Sequence, residues 1–170
     1  FLGAAYSLPP FSLQARGLGE IAIAAAFGPL LTGGAAAAAT GAWHWDAFWM
    51  GVPAGLLTSN ILFINQFPDR QADEAAGKHH WVVRLGPRRA RGVYLAMAAA
   101  ALIVTLTLPP LTGASSLVWI SCLGFAPLTK AIPRLWRFYD QPRELQGAQQ
   151  ATIAAQAISQ TLLALALFLS

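Results

Sequence analysis

The sequence predicts an all-α, polytopic membrane bundle, and three observations carry that reading. Apolar types make up 56% of the 170 residues and Asp, Glu, Lys and Arg only 11%, against about 45–50% and about 25% in a soluble domain. The charges gather into clusters separated by uncharged runs of twenty residues or more. Threading those runs through a bilayer places every Lys and Arg on one side. A soluble globule needs more surface charge, and a disordered chain far fewer apolar residues. The single cysteine, Cys122, excludes an internal disulfide framework and a cysteine-rich zinc site. The chain opens on Phe1, and its first residues read as a helix end. We therefore expect one membrane domain over 1–170, the C-terminal part of a longer protein.

In order along the chain, a helix stub covers 1–5. The first span covers 18–39, carries Glu20 near its start, and is expected to kink at Gly28-Pro29. The run 33–40 reads as a helix end with small packing residues. Residues 48–67 and 151–170 are each twenty residues without a charge, the length a helix needs to cross the hydrocarbon core. Residues 93–129 form a 37-residue uncharged stretch, enough for two spans. It is expected to break at Pro109-Pro110 and Gly113, where a helix should stop. That makes five spans.

If the stub descends to one face, loops 6–17, 68–92 and 130–146 lie there and hold all 11 Lys and Arg residues. The opposite loops, 41–47 and 109–114, hold only Asp46. Orientation follows Lys and Arg, so the basic face is expected in the cytoplasm and the C-terminus outside, in the inner cell membrane. Trp43, Trp45 and Trp49 would form the outer aromatic belt. The basic pI follows from this topology and implies no nucleic-acid partner.

The chemistry concentrates at the cytoplasmic mouth. Asn65, Asp69 and Asp73 recur every four residues in Asn65-Gln-Phe-Pro-Asp69-Arg-Gln-Ala-Asp73-Glu-Ala-Ala-Gly77-Lys78. On a continuing helix all three share one face, about a turn apart. Two carboxylates so placed suit Mg²⁺, which takes one or two of them and completes its shell with substrate phosphates and water. Lys78 and Arg84 suit the remaining phosphate oxygens. Spacing alone leaves open an ordinary cytoplasmic loop of mixed charge.

The segment 65–86, Asn-x-x-x-Asp-Arg-x-x-Asp-x-x-x-Gly-Lys-x-x-x-Val-Val-Arg-Leu-Gly, closely resembles the second aspartate-rich region of the UbiA superfamily of membrane prenyltransferases. Tyr6-Ser-x-Pro-Pro and Arg16-Gly-Leu-Gly-Glu20 look like the preceding cytoplasmic loop. The likeness is greatest to the branch that prenylates 1,4-dihydroxy-2-naphthoate in menaquinone biosynthesis. The resemblance implies a nine-helix bundle, of which this chain holds the end of the fourth helix and the fifth to ninth. It implies a polyprenyl diphosphate donor, an aromatic acceptor, and Mg²⁺ bound by Asp69 and Asp73 as catalytic groups. Asn65 would support the metal and substrate, while Lys78, Arg84 and Arg16 would contact diphosphate. A first aspartate-rich motif would face them, and none precedes Tyr6. Tyr6 corresponds to a substrate-binding tyrosine opening a Tyr-x-x-x-Lys pattern in the hydroxybenzoate branch. Pro10 stands where that lysine would fall, which argues against 4-hydroxybenzoate. Homogentisate and chlorophyllide are further acceptors within the superfamily.

Other residues weigh less. Phe27, Phe63 and Phe67 could face an allylic cation, although lipid or helix packing is the commoner use. Glu20 is a functional candidate by its membrane depth, or a partner of Arg16 at i−4. His79 and His80 read as solvated loop residues, Cys122 as inert packing, and Arg88, Arg89 and Arg91 as headgroup anchors. Arg134, Arg137 and Arg143 read the same way. CDP-alcohol phosphotransferases also carry Asp-x-x-x-Asp, but the Asp-Gly-x-x-Ala-Arg element they need is missing before Asn65. An ion-transporting or purely structural bundle would need ionisable residues deep in its spans, and only Glu20 approaches that.

Overall fold

Gly41, Gly86 and Gly113 close helices of this chain, whereas Pro53, Pro68, Pro109, Pro110 and Pro133 lie inside helices without ending them. A computed structural model describes residues 2–170; Phe1, the first residue of the expected stub, lies outside them. The α-helices are α1 (Leu2–Ser7), α2 (Gly19–Ala26), α3 (Pro29–Thr40), α4 (Trp45–Ala75), α5 (Trp81–Leu85), α6 (Pro87–Thr112), α7 (Leu128–Phe138) and α8 (Gln146–Phe168). Short 3-10 segments cover Leu13–Ala15, Ser116–Phe125 and Pro142–Leu145, and no strand occurs among the described residues. Five stretches are long and apolar enough to cross a membrane: Gly19–Thr40, Trp45–Ala75, Pro87–Thr112, Ser116–Phe138 and Pro142–Phe168. The fold is the expected all-α polytopic bundle.

The first span breaks at Gly28-Pro29 into α2 and α3. Pro29 opens α3 at a position whose N–H would be unpaired anyway. The break sits where α2 and α3 cross α4 at backbone distance. A Cβ on Gly28 would lie 2.7 Å from the Gly51 carbonyl oxygen, and one on Gly55 would collide with the Ala24 carbonyl. Thr32 Oγ1 donates to the Ala47 carbonyl at 2.8 Å across the same contact. The tight packing thus centres on Gly28 and not on the alanine run. Gly33 meets the Trp43 ring, whereas Gly34 faces open space.

Two boundaries differ from the sequence reading. α6 runs through Pro109 and Pro110 and ends only at Gly113, which takes φ +73. Pro110 has no N–H to offer the Leu106 carbonyl one turn back, and the Trp119 indole supplies one instead at 3.0 Å. The fourth span continues past Thr129 to Phe138, into the region read as loop. Leu128, Ala131 and Leu135 are buried there while Lys130, Arg134 and Arg137 are exposed, an amphipathic helix face. The core joins α4, α6, α7 and α8 through Leu57, Phe63, Ile64, Tyr94, Leu135 and Ala155. Phe63 and Phe67 pack edge to face at 5.9 Å inside that core, and Phe27 is exposed. Arg91 does more than point at solvent. It lies 4.5 Å from the Trp136 ring and 4.8 Å from that of Tyr139, a cation–π contact that ties α6 to α7.

Candidate active site

α4 continues past Pro68 for almost two turns, so Asn65, Asp69 and Asp73 do share one helical face. Beyond its end the chain doubles back. Gly77, at φ +73, donates to the Glu74 carbonyl at 3.0 Å and Lys78 N to the Asp73 carbonyl at 2.9 Å. This glycine-led C-terminal turn returns the next side chains to the helix that precedes it. Lys78 Nζ reaches Asp73 Oδ1 at 2.6 Å, and His80 Nε2 is hydrogen-bonded to Asp73 Oδ2 at 3.0 Å. The Asp73 bond holds the Lys78 ammonium above the ordinary lysine range, against a smaller opposing effect of burial.

A cavity of about 180 Å³ opens beside this turn, lined by Tyr6, Gln14, Leu62, Asn65, Gln66, Asp69, Asp73, Lys78 and His80. Burial pushes the Tyr6 phenol above its ordinary value, and the charge of Glu20 adds to that shift. Asn65 Oδ1 accepts a hydrogen bond from Gln149 Nε2 at 2.8 Å, which fixes the amide and leaves that oxygen a second lone pair. Asp69 is exposed and carries no hydrogen bond or ion pair among the described residues. The two carboxylates are therefore not equivalent. Asp73 is already engaged at both oxygens, and Asp69, unbonded among the described residues, acts on Lys78 through its charge.

Five residues singled out from the sequence thus meet in one cavity: Tyr6, Asn65, Asp69, Asp73 and Lys78. Arg16 and Arg84 do not line it; Arg84 Nη2 donates to the Arg16 carbonyl at 2.8 Å. The sequence reading missed Gln14, Gln66, Gln149 and His80. His80 is 2% exposed, not a solvated loop residue, because the turn at Gly77 carries it onto Asp73. The only signal for it was its place two residues after Lys78. The expected i−4 pair between Arg16 and Glu20 is absent among the described residues. Glu20 instead accepts from Gln66 Nε2 at 3.0 Å and Trp81 N at 3.4 Å.

The donor set suits a hard cation. Asp69, Asp73 and the Asn65 amide oxygen offer oxygen ligands of the kind Mg²⁺ prefers. No group of three or more His, Cys, Asp and Glu gathers among the described residues, so an ion here would need further oxygens from its ligand and water.

Membrane-length helices capped at one mouth by a pocket of carboxylates and bases define an integral-membrane helical protein with a polar site at the end of its spans. Comparison with known proteins narrows that class. The chain matches the UbiA prenyltransferase family over residues 1–169, and it belongs to that family. It is also 30% identical over 152 residues to 2-carboxy-1,4-naphthoquinone phytyltransferase of Synechocystis sp. (strain ATCC 27184 / PCC 6803 / Kazusa), an alignment covering 88% of this chain and 48% of that relative. The chain spans about half the length of the curated relative it matches. No solved structure matches it.

Proposed function

We propose that this chain is the C-terminal part of an Mg²⁺-dependent membrane enzyme that moves a polyprenyl group from its diphosphate to an aromatic acceptor. The observation that carries the reading is the convergence of Asn65, Asp69, Asp73, Lys78 and Tyr6 on one cavity at the end of a span. A polyprenyl chain partitions into lipid while its diphosphate needs cations, so a polar pocket at the mouth of apolar helices suits both ends of the donor. Asp69 and Asp73 would hold Mg²⁺ with support from Asn65, and a first aspartate-rich motif would complete the site from helices upstream. The metal, when bound, would neutralise the departing diphosphate. Lys78 would exchange its bond to Asp73 for diphosphate oxygens, keeping positive charge where negative charge develops. Tyr6 would border the acceptor. The allylic carbon, its C–O bond to diphosphate broken, then bonds the electron-rich ring away from water, and the attacked ring carbon sheds its proton, or its carboxyl group as carbon dioxide, to restore aromaticity.

For the acceptor, 1,4-dihydroxy-2-naphthoate in menaquinone biosynthesis is the first choice. The relative's name couples a carboxylated naphthoquinone to a phytyl group, which favours a bicyclic, carboxylated acceptor over 4-hydroxybenzoate. The basic loops would face the cytoplasm and the C-terminus the outside. Prenyl transfer by the intact protein carrying Asp69→Ala or Asp73→Ala tests the proposal. Both variants should lose turnover, and unchanged turnover in both would end the metal assignment.

A further inference from the structure

A set of contacts outside the cavity joins residues 15–20 to residues 79–84. His79 N donates to the Ala15 carbonyl at 2.7 Å. The Trp81 indole donates to the Gly17 carbonyl at 2.6 Å, and Arg84 to the Arg16 carbonyl at 2.8 Å. Trp81 N reaches Glu20 Oε1 at 3.4 Å, and the same oxygen receives Gln66 Nε2 at 3.0 Å. Gly17 makes the approach possible. It takes φ +72, and a Cβ there would lie 3.1 Å from both the His79 carbonyl oxygen and the Trp81 ring. The left-handed backbone strongly favours glycine, and any side chain would also press on both neighbours.

Glu20 is 2% exposed and does not line the cavity. A buried carboxylate is costly unless hydrogen-bonded; both donors, from two other elements, meet Oε1, while Oε2 is buried without a partner among the described residues. Gln66 lines the cavity between Asn65 and Asp69, and Trp81 directly follows His80. Glu20 thus grips the α4 wall of the site and the strap bearing Lys78 and His80 at once.

We infer that Glu20 is a positioning residue whose buried carboxylate docks residues 79–84 onto residues 15–20 and thereby presents Lys78 to the diphosphate. The inference rests on the assignment of Lys78 to diphosphate made above. Both donors to Glu20 are neutral N–H groups meeting the one oxygen Oε1, so the docking bonds themselves call for an acceptor oxygen, whatever the Glu20 charge does at Tyr6. A glutamine amide supplies that oxygen.

The test uses the intact protein with Glu20→Ala, Glu20→Gln and Trp81→Phe, read by prenyl-transfer kinetics and by tryptic cleavage after Lys78 and Arg84. Glu20→Ala should raise KM for the prenyl diphosphate about tenfold, the size of one lost hydrogen bond to a charged group, with kcat changed less than about twofold. It should also speed cleavage at both sites, and Glu20→Gln should restore KM and protection. Trp81→Phe, which removes the bond to Gly17 together with part of the ring packed on the core, should act in the same direction by about two- to threefold, and it covers the case in which Glu20→Ala does not fold. Glu20→Gln as impaired as Glu20→Ala would overturn the inference, because charge would then be the requirement. Unchanged KM and cleavage in Glu20→Ala and Trp81→Phe would overturn it as well. If the intact protein transfers no prenyl group at all, the proposed function fails, and tryptic protection alone still decides the docking role.

Discussion

The two halves of α4 are held by different forces. From Trp45 to Leu57 the helix packs by backbone proximity, with Gly51 and Gly55 set against Gly28 and Ala24. Trp43, Trp45, Phe48 and Trp49 cluster edge to face at that end. From Ser59 to Asp73 it packs Phe63, Ile64 and Phe67 into the core and is tied in addition through polar side chains. Ser59 donates to the Glu20 carbonyl and Asn60 to the Tyr94 carbonyl, while Gln66 bonds Glu20, Gln149 bonds Asn65, and Lys78 with His80 closes on Asp73. Close packing tolerates no added atom and has no partner to exchange. Hydrogen-bonded side chains can trade a protein partner for a ligand, so the chemistry belongs to the second half of the same helix.

That contrast is broken most severely at the carboxylates. Asp69→Asn or Asp73→Asn in the intact protein should lower prenyl transfer on the order of 1,000-fold, with little change in the thermal midpoint for Asp69→Asn and a lowered midpoint for Asp73→Asn, which weakens the bonds to Lys78 and His80. In the packed half, Gly55→Val should do the reverse. Its Cβ would already collide with the Ala24 carbonyl, and we expect a loss of about 2–3 kcal/mol or more in thermal unfolding of the detergent-solubilised protein. Gly17→Ala probes the junction between the two regimes. The left-handed backbone and the crowded site should cost about 1–2 kcal/mol, with a rise in KM for the prenyl diphosphate that Gly55→Val lacks. The smallest effect should come from Thr32→Val, which removes one hydrogen bond to Ala47 and should cost about 0.5–1.5 kcal/mol without altering KM.

The spans were readable because charge is expensive in hydrocarbon, so its spacing along the chain records the bilayer directly. The face of Asn65, Asp69 and Asp73 was readable because a four-residue period nearly matches the helical turn. What could not be read depended on distant partners. The continuation of α6 through two prolines relies on Trp119, thirteen residues from the Leu106 carbonyl it satisfies. Glu20 finds its partners 46 and 61 residues away, not on the adjacent turn. Burial of His80 follows from a turn at Gly77 that reverses the chain; the glycine marks the helix end, but no local pattern specifies that His80 lands on Asp73. The amphipathic period of α7 was present in the sequence, but its charges dominated the reading of that stretch as loop.

Calorimetric titration of inorganic diphosphate into the intact protein, with and without Mg²⁺, addresses the joint role of Asp69 and Asp73 most directly. The account predicts binding that requires Mg²⁺ and disappears in both Asp69→Ala and Asp73→Ala. Diphosphate binding that persists in both variants, or that is indifferent to Mg²⁺, would contradict it.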